Sequence, residues 1–256
     1  MRVMFLSIHG YVDPIPDLGQ ADTGGQVVYI IEVAKKLANK GIKIDIYTRW
    51  FEGKKNIEEI NSNARIIRIP CGPKHFLRKE ELYPFLDEFA LNLLKFIKEN
   101  EIKYNIVHSH YWDAGYVALK LKSKINRARY IHTSHSLGAL KRERLRTKVA
   151  EEIYHFDTRI KWEKKIIEDA DIIIATSPFE QDIIREYYEI DRQVKVIPPG
   201  VDVDFFSPTN VSKSVDLPDI YVFSTGRLEY TKGFDLLIKA FKHVSDEFPE
   251  AKLILG

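Results

Sequence analysis

Two cations share one glycine-bounded loop near the end of the sequence. Arg227 and Lys232 lie in the stretch Gly-Arg-Leu-Glu-Tyr-Thr-Lys-Gly, residues 226–233, between an apolar run and residues with helical spacing. Backbone N–H groups and the helix dipole favour anions at such a loop. A guanidinium takes two phosphate oxygens and an ammonium acts as a point charge, so the pair suits a diphosphate. Spacing alone slightly favours the alternative of two solvated cations.

A second group of residues, Gly24-Gly25-Gln26, precedes a stretch with helical spacing. Free N–H groups at a helix N-terminus, and the lack of side chains on glycine, would let a ligand approach the backbone closely. The signal is weak by itself, since glycine is common in turns. It is also not the G-x-G-x-x-G pattern of dinucleotide-binding folds, so a dehydrogenase loses support.

Four histidines cluster near the ends of two predicted strands. His108 and His110 alternate on one strand, while His132 and His135 flank the end of another. A metal site needs three or four convergent ligands, and the one carboxylate close in sequence is Asp113. We therefore expect no metal, and we interpret His108 and His132 as histidines whose hydrogen bonds are satisfied within the fold.

Three further basic residues, Lys79, Lys141 and Arg159, could together bind a phosphorylated sugar. Taken one at a time, each is more typical of a solvated charge on a helix surface. Spacing does not decide between these readings.

The elements that must position these residues alternate between strands and helices. The predicted strands are Val3–Ile8, Ile42–Thr48, Arg65–Ile69, Asn105–Ser109, Arg129–Thr133, Ile172–Thr176 and Lys195–Ile197. The predicted helices are Val27–Asn39, Glu81–Lys98, Ala114–Leu121, one long helix from about Lys141 to Glu168, and Phe179–Tyr188. The strands are short and rich in Ile and Val, which is typical of strands buried on both faces. The pattern predicts a doubly wound α/β domain, whose ligands collect at the carboxyl ends of the strands.

The chain is predicted to divide at a proline-rich segment. Residues 1–200 form an N-terminal Rossmann-like domain, 201–218 an interdomain linker, and 219–256 the start of a second Rossmann-like domain. One strand-helix-strand unit cannot bury both faces of its sheet. We therefore expect the chain to be truncated within its second domain.

The composition of this chain of 256 residues limits the kinds of partner and compartment that we expect. Thirty-nine Lys and Arg against thirty-seven Asp and Glu give a net charge of +2, too balanced to indicate nucleic acid. The single cysteine, Cys71, cannot form an internal disulfide, which indicates a reducing compartment. No run approaches the ~20 apolar residues of a membrane span, so we expect a cytoplasmic protein.

The wording of these motifs resembles retaining glycosyltransferases of the GT-B type, family four, and within them the sucrose-phosphate synthase branch and its sucrose synthase relatives. The words that carry the resemblance are Gly-Gly-Gln (24–26), Lys-Glu-Glu-Leu-Tyr-Pro (79–84), His-Tyr-Trp-Asp-Ala-Gly (110–115), His-Ser-Leu-Gly-Ala (135–139), Ile-Pro-Pro-Gly-Val-Asp (197–202) and Gly-Arg-Leu (226–228). The resemblance runs through essentially the whole chain.

The resemblance implies a role for each group of residues. Arg227 and Lys232 would hold the donor diphosphate and, with His135 against the transferred sugar, would form the catalytic set. Gly24 and Gly25 would face the donor phosphate. The residues expected around the acceptor are Gln26, Lys79, Tyr111, Lys141 and Arg159.

The implied reaction moves a glucosyl group from UDP-glucose to fructose 6-phosphate with retention at the anomeric carbon. The two loop cations would stabilise the charge that develops on the leaving diphosphate. The leaving phosphate would accept the acceptor's proton, so neither a protein nucleophile nor a cofactor is required, and magnesium is expected at most as an activator. The partners expected are small-molecule sugars, with no nucleic acid and no membrane span.

One departure leaves the acceptor open. The branch has two adjacent arginines where this sequence has Thr158-Arg159, so fructose or another sugar remains an alternative to fructose 6-phosphate. The family's Glu-x(7)-Glu donor element would lie beyond Gly256. A sugar-phosphate-binding or interaction module without catalysis is therefore the alternative function, and an NAD-linked oxidoreductase has no fingerprint in its favour.

Overall fold

The computed structural model describes residues 1–125, 128–207, 217–226 and 232–256. These residues form two compact units, 1–199 and 200–256, which are described separately below.

The first unit is built on one eight-stranded sheet. Its strands, in chain order, are β1 (Arg2–Leu6), β2 (Lys43–Trp50), β3 (Ile57–Asn61), β4 (Ala64–Pro70), β5 (Ile106–His110), β6 (Arg129–Thr133), β7 (Ile172–Ala175) and β8 (Val194–Val196). They lie in the order β3-β4-β2-β1-β5-β6-β7-β8. All neighbours pair in parallel except β3, which runs antiparallel to β4 at the edge.

In the described part of this unit, seven α-helices connect the strands. They are α1 (Gly25–Ala38), α2 (Leu86–Glu99), α3 (Trp112–Lys122), α4 (Gly138–Leu145), α5 (Lys148–Tyr154), α6 (Phe156–Asp169) and α7 (Pro178–Tyr188). Two short 3-10 turns, Lys79–Glu81 and Tyr83–Phe85, precede α2.

The central strand β1 shows why both faces of the sheet are covered. Met4 belongs to the larger core, which also holds residues of α2, α3, α6 and α7, whereas Val3 and Phe5 belong to the smaller core with α1. Successive side chains of a strand point to opposite faces, so one strand feeds both cores. The α/β doubly wound arrangement predicted from the sequence is confirmed.

The connections reverse direction at β1. This strand pairs with β2 on one side, where Val3 faces Ile44, and with β5 on the other, where Val3 faces Ile106. Loops that leave the carboxyl ends of two such strands diverge and open a crevice. The loop after β1 and the residues after β5 lie at this edge.

The single long helix predicted from about Lys141 to Glu168 is wrong. The chain forms α4, α5 and α6 there, because Arg146 and His155 adopt left-handed backbone angles, with φ of 45° and 46°. Side chains with helical spacing hide such breaks, since the apolar pattern continues through them. The predicted helix start at Glu81 is also too early, because Pro84 lies in a 3-10 turn and α2 begins at Leu86.

The second unit contains a parallel pair of strands and one helix among its described residues. β9 (Tyr221–Ser224) and β10 (Lys252–Leu255) pair with Val222 facing Leu253, and α8 (Phe234–Glu247) connects them. The strand-helix-strand order agrees with the sequence pattern. Among the residues described in either unit, no helix combines the length and apolarity needed to cross a membrane.

Candidate functional site

A cavity of about 410 Å³ opens in the first unit beside the residues that follow β5. Its walls bring together three residues of the predicted acceptor set, Lys79, Tyr111 and Arg159. These residues are far apart in sequence, and the fold places them around one space. Aromatic rings form much of the remaining wall, contributed by Tyr83, Trp112 and Tyr154.

Lys79 reaches the cavity already paired with carboxylates. Its ammonium contacts Asp22 and lies 3.0 Å from Glu80, and its backbone N–H donates to Asp22 at 2.9 Å. Burial alone would lower the pKa of Lys79, but the ion pairs with Asp22 and Glu80 together outweigh burial and raise that pKa. The pairing also lowers the pKa of Asp22, against the effect of its own burial. Lys79 is therefore a fixed positive charge, held by the loop that leads into α1.

Arg159 is more buried, and forms more hydrogen bonds within the protein, than the sequence predicted. Only 2% of the side chain is exposed, and Nε donates to Glu163 at 2.8 Å. Nη2 donates to the Ser136 carbonyl at 2.8 Å. Burial alone would lower the pKa of Arg159, but the Glu163 carboxylate together with Tyr111 and Tyr188 outweighs burial and raises that pKa. Nη1 forms no hydrogen bond within the described part of the chain and is the nitrogen left for a ligand.

Tyr111 occupies a strained position between β5 and α3. Its backbone has a φ of 77°, which is unusual for a residue with a side chain. The guanidinium carbon of Arg159 lies 4.8 Å from the centre of its ring. Because strained backbone persists only where the surroundings enforce it, Tyr111 marks this strand end as a built site.

Lys141 stands beside the cavity rather than in its wall. Its Nζ lies 3.3 Å from the ring centre of Tyr154, which does line the cavity. A cation over an aromatic face is attracted by the ring quadrupole. The structure therefore brings this predicted acceptor residue near the other three through an aromatic intermediary.

The Gly-Gly-Gln motif begins α1, with Gly24 as the N-terminal cap residue. A Cβ added to Gly25 would meet no atom within 4 Å in the described part of the chain, so packing there does not require glycine. Gln26 has a buried Nε2 without a hydrogen-bond partner among the described residues. An open backbone next to an unpaired donor suits a ligand that approaches the helix N-terminus.

His135 and His110 form an imidazole pair next to this helix, in which His110 is fully buried and His135 is partly buried. His135 Nε2 lies 3.0 Å from His110 Nδ1, and the ring of His135 lies 5.2 Å from that of Tyr29. Burial lowers the pKa of His135 to about 3 and puts that of His110 well below its usual value. Both rings are therefore neutral at pH 7. The backbone φ of His135 is 57°, the second strained strand-end residue of this edge.

His108 and His132 are also neutral, with pKa values lowered by burial to about 3. His108 Nε2 lies 2.8 Å from Thr133 Oγ1, and His132 Nδ1 lies 2.8 Å from Ser109 Oγ. His132 Nε2 has no hydrogen-bond partner within the described ranges. The expectation of satisfied hydrogen bonds therefore agrees with His108 Nε2 and His132 Nδ1 but not with His132 Nε2. In the described residues, no group of three His, Cys, Asp or Glu side chains is arranged to hold a metal ion.

Sequence reasoning missed a buried histidine and aspartate pair at the same edge. His9, just beyond β1, places Nδ1 2.6 Å from Asp113 Oδ2, and its ring packs edge-on against Tyr111 at 4.8 Å. Asp113 is fully buried and also accepts from the Ala114 backbone N–H at 2.6 Å. The signal was available, because His9 follows the first predicted strand and ligand-facing residues gather at strand carboxyl ends.

Asp22 and Glu163 were missed for a different reason. Each holds a cation of the predicted set, Lys79 and Arg159 respectively. Asp22 lies 57 residues from Lys79 in the chain, and this separation gives no sequence signal. Glu163 lies four residues after Arg159 on α6, a spacing that brings side chains together on a helix and could have revealed the pair.

The predicted donor set is divided along the chain: Gly24 and Gly25 lie at the start of α1, and the two loop cations lie near the end of the sequence. Arg227 lies outside the described residues. Lys232 is described in the second unit, immediately before Gly233, which caps α8 with a left-handed φ of 68°. Their role in holding a diphosphate stays a prediction.

Comparison with known proteins identifies what this architecture resembles. The sequence profile of Glycosyltransferase Family 4 matches residues 23–205. The mannosylfructose-phosphate synthase of Agrobacterium fabrum is 39% identical over all of this chain and 59% of its own length. The D-inositol 3-phosphate glycosyltransferase of Corynebacterium diphtheriae is 34% identical over 98% of this chain and 60% of its own length.

A solved structure gives the same result for the fold. The sucrose-phosphate synthase of Thermosynechococcus elongatus superposes with a TM-score of 0.84 at 27% identity, covering 99% of this chain and 61% of that one. The predicted GT-B fold class is thereby confirmed. The chain spans about three fifths of the length of the relatives that it matches.

Proposed function

Because the chain belongs to glycosyltransferase family 4, we propose that it carries the acceptor-binding half of a retaining hexosyltransferase whose acceptor is a phosphorylated sugar of the fructose 6-phosphate type. The observation that carries the proposal is the cavity that gathers Lys79, Tyr111 and Arg159. Residues distant in sequence but convergent on one polar and aromatic space are typical of a small-molecule site.

The names of the relatives support the phosphorylated acceptor. A mannosylfructose-phosphate synthase, a D-inositol 3-phosphate glycosyltransferase and a sucrose-phosphate synthase all name a phosphate ester of a small polyhydroxylated compound. A site shared by such enzymes must contact both hydroxyl groups and a phosphate. The cavity offers tyrosine and glutamate side chains for the first and two cations for the second.

The carboxylates around the two cations do not prevent phosphate binding. An ammonium has three N–H donors, and Lys79 directs its side chain at two carboxylates, Asp22 and Glu80. Arg159 keeps Nη1 for a ligand, and Thr158 lines the cavity one residue earlier on the first turn of α6. A phosphate can therefore be bound without breaking either ion pair, and helix N-terminal N–H groups add to the attraction.

The proposed donor is a nucleoside-diphosphate sugar, UDP-glucose. The support is the loop of residues 226–233, in which Arg227 and Lys232 suit a diphosphate. In the proposed reaction the leaving phosphate accepts the acceptor's proton, with no cofactor required and magnesium at most an activator. His135, neutral at pH 7, would contact the transferred sugar as a hydrogen-bonding group rather than as a cation.

The proposed partners are small-molecule sugars, with no nucleic acid, and the proposed compartment is the cytoplasm. Cys71, the only cysteine of the sequence, is a buried free thiol. Burial raises the pKa of Cys71 to about 11, so it is a weakly reactive thiol that suits a reducing compartment.

The test is isothermal titration of the 256-residue chain with fructose 6-phosphate and, separately, with fructose. We expect the phosphorylated sugar to bind, and Lys79→Met to weaken that binding by about tenfold or more, the worth of one lost charge-assisted hydrogen bond. Lys164→Met is the matched control, because Lys164 pairs with Glu189 at 2.8 Å on the surface of α6. Equal affinity for the two sugars, or no binding by a folded sample, would overturn the proposed acceptor.

A further inference from the structure

We propose that Glu163 is a positioning residue of the acceptor site, acting through Arg159 and through the loop between β6 and α4. This inference rests on the proposed function, because the site it organises is the proposed acceptor cavity. Glu163 itself does not line that cavity. It lies on the second turn of α6, one turn after Arg159, which does line the cavity.

Glu163 accepts hydrogen bonds from three different elements while only 1% of its surface is exposed. Arg159 Nε donates at 2.8 Å from the same helix. The Gly138 backbone N–H, at the start of α4, lies 3.1 and 2.9 Å from the two carboxylate oxygens. The Tyr188 hydroxyl donates from the end of α7. One carboxylate thus ties α4, α6 and α7 together.

The contact with α4 leaves too little room for a side chain at Gly138. A Cβ added to Gly138 would lie 2.9 Å from Glu163 Oε2 and 3.0 Å from Arg159 Cδ. Both distances are shorter than ordinary van der Waals contact, so this position requires glycine for space rather than for its backbone angles. The loop that ends at Gly138 is pressed directly against the ion pair.

Arg159, which is held by Glu163, in turn contacts Tyr111 and the residue next to His135, the two residues of the site with strained backbone. Its Nη2 donates to the Ser136 carbonyl, next to His135, and its guanidinium lies over the ring of Tyr111. His135 and Tyr111 both have positive φ. Such backbone costs of order 1–3 kcal/mol per residue and persists only where the surroundings hold it. Glu163 holds the loop after His135 at two points, directly at Gly138 and through Arg159 at Ser136.

The chain contains a matched control for this arrangement. Asp45 is 2% exposed and accepts from Arg2 Nε at 2.6 Å, Arg65 Nε at 2.6 Å and the Tyr104 hydroxyl at 2.7 Å. It is therefore another buried carboxylate with arginine and tyrosine partners. It lies near the amino ends of β2 and β4, at the opposite edge of the sheet from the cavity.

The experiment compares Glu163→Gln with Asp45→Asn in the 256-residue chain. Urea unfolding measures stability, titration with fructose 6-phosphate measures acceptor affinity, and ¹⁵N-detected imidazole NMR reports the His135 and His110 rings. We expect both variants to lose stability. Only Glu163→Gln should shift the His135 and His110 signals and weaken fructose 6-phosphate binding, by about tenfold or more, as for other residues that orient a ligand-binding group.

Three results would overturn the inference or separate it from the proposed function. If Glu163→Gln leaves the imidazole signals unchanged, or keeps affinity within about twofold of Asp45→Asn, Glu163 has a structural role only. If the unmodified chain does not bind fructose 6-phosphate, the proposed acceptor fails, while the imidazole signals still decide the positioning role. If Glu163→Gln does not fold, Tyr188→Phe replaces it: a smaller shift of the same signals supports the inference and unchanged signals refute it.

Discussion

Buried networks of the same chemistry lie at the two ends of the strands of the eight-stranded sheet, here called the amino edge and the carboxyl edge. At the amino edge, Asp45 is surrounded by Arg2, Arg65 and Tyr104. At the carboxyl edge, Glu163 is surrounded by Arg159, Tyr188 and the Gly138 amide. Each is a carboxylate almost without solvent exposure, bonded to arginine and tyrosine.

Their surroundings differ in one respect that matters for function. The partners of Asp45 are regular strand residues or lie directly before strands, and none of Asp45, Arg2, Arg65 or Tyr104 has positive φ. Among the partners of Glu163, Arg159 lines the cavity and contacts Tyr111, which has strained backbone, and Ser136, which follows the strained His135. The same bonds therefore stabilise the fold at one edge and fix the geometry of a site at the other.

Replacing one arginine in each network should give the largest difference in unfolding free energy between the two. Arg159→Met leaves Glu163 buried without a cation, and breaking a buried ion pair in this way costs about 3–5 kcal/mol of unfolding free energy. Arg65→Met leaves Asp45 paired with Arg2, so we expect a loss of about 1–3 kcal/mol. Urea unfolding of both variants measures the difference. Equal losses would mean that the two networks are equivalent.

Acid should destabilise the two edges in different pH windows. His132 and His135 have folded pKa values of about 3, against 6.5 for a free imidazole. Below pH 6.5 the unfolded chain binds protons that the folded chain does not, so stability falls as pH drops from 6.5 towards 3, by about 1.4 kcal/mol per unit for each histidine. Asp45 has a lowered pKa, so its contribution is lost only as pH falls below the ordinary carboxyl range and through the folded pKa.

Urea unfolding at pH 7, 5 and 3.5 tests this separation. His132→Gln should flatten the loss of stability between pH 6.5 and 5, and Asp45→Asn should flatten it only near the lowest pH. A wild-type stability that is constant from pH 7 to 5 would show that these histidines are not held neutral in the folded protein.

Adding one methyl group should distinguish two glycines of the carboxyl edge. Gly138→Ala must push apart Glu163 and Arg159, and overpacking of this kind costs about 1–3 kcal/mol. Gly25→Ala meets open space in the described part of the chain and should leave the unfolding free energy nearly unchanged, or raise it slightly through better helix propensity. Thermal or urea unfolding checks both, and a neutral Gly138→Ala would argue against the tight packing around Glu163.

Removing a single hydroxyl group from each network should have the smallest effect on stability and still distinguish the two edges. Tyr188→Phe and Tyr104→Phe each remove one hydroxyl bonded to a buried carboxylate, at a cost of about 1 kcal/mol each. Although the stability losses should match, only Tyr188→Phe should weaken fructose 6-phosphate binding in a titration. A loss of affinity in Tyr104→Phe of the same size would remove the distinction between the edges.

The sequence predicted the fold well because strands buried on both faces leave a strong signal. Runs of Ile and Val between helical patterns located the parallel strands of the first unit to within one or two residues, and β6 agrees at both ends. The edge strand β3 escaped, since Ile57–Asn61 is half-exposed and carries two glutamates. The breaks at Arg146 and His155 escaped because left-handed non-glycine residues have no compositional signature.

The site was only partly predictable. Motif wording identified Lys79, Tyr111 and Arg159, and the structure brings these residues to one cavity. The motifs could not show that Arg159 donates most of its hydrogen bonds to groups within the protein. They also could not show that Asp22, in a distant loop, pairs with Lys79. The bonds from Lys79 to Asp22 and from Arg159 to Ser136 depend on long-range packing, which spacing along the chain does not reveal, whereas the i, i+4 spacing of Arg159 and Glu163 could have revealed that pair.

The most direct test of the account is a crystal structure of the 256-residue chain with fructose 6-phosphate. We expect the sugar in the cavity beside Tyr111, with its phosphate within hydrogen-bonding distance of Lys79 Nζ and Arg159 Nη1, and with the pair of Glu163 and Arg159 intact. A sugar phosphate bound elsewhere, or one bound here only after Arg159 has left Glu163, would contradict the account.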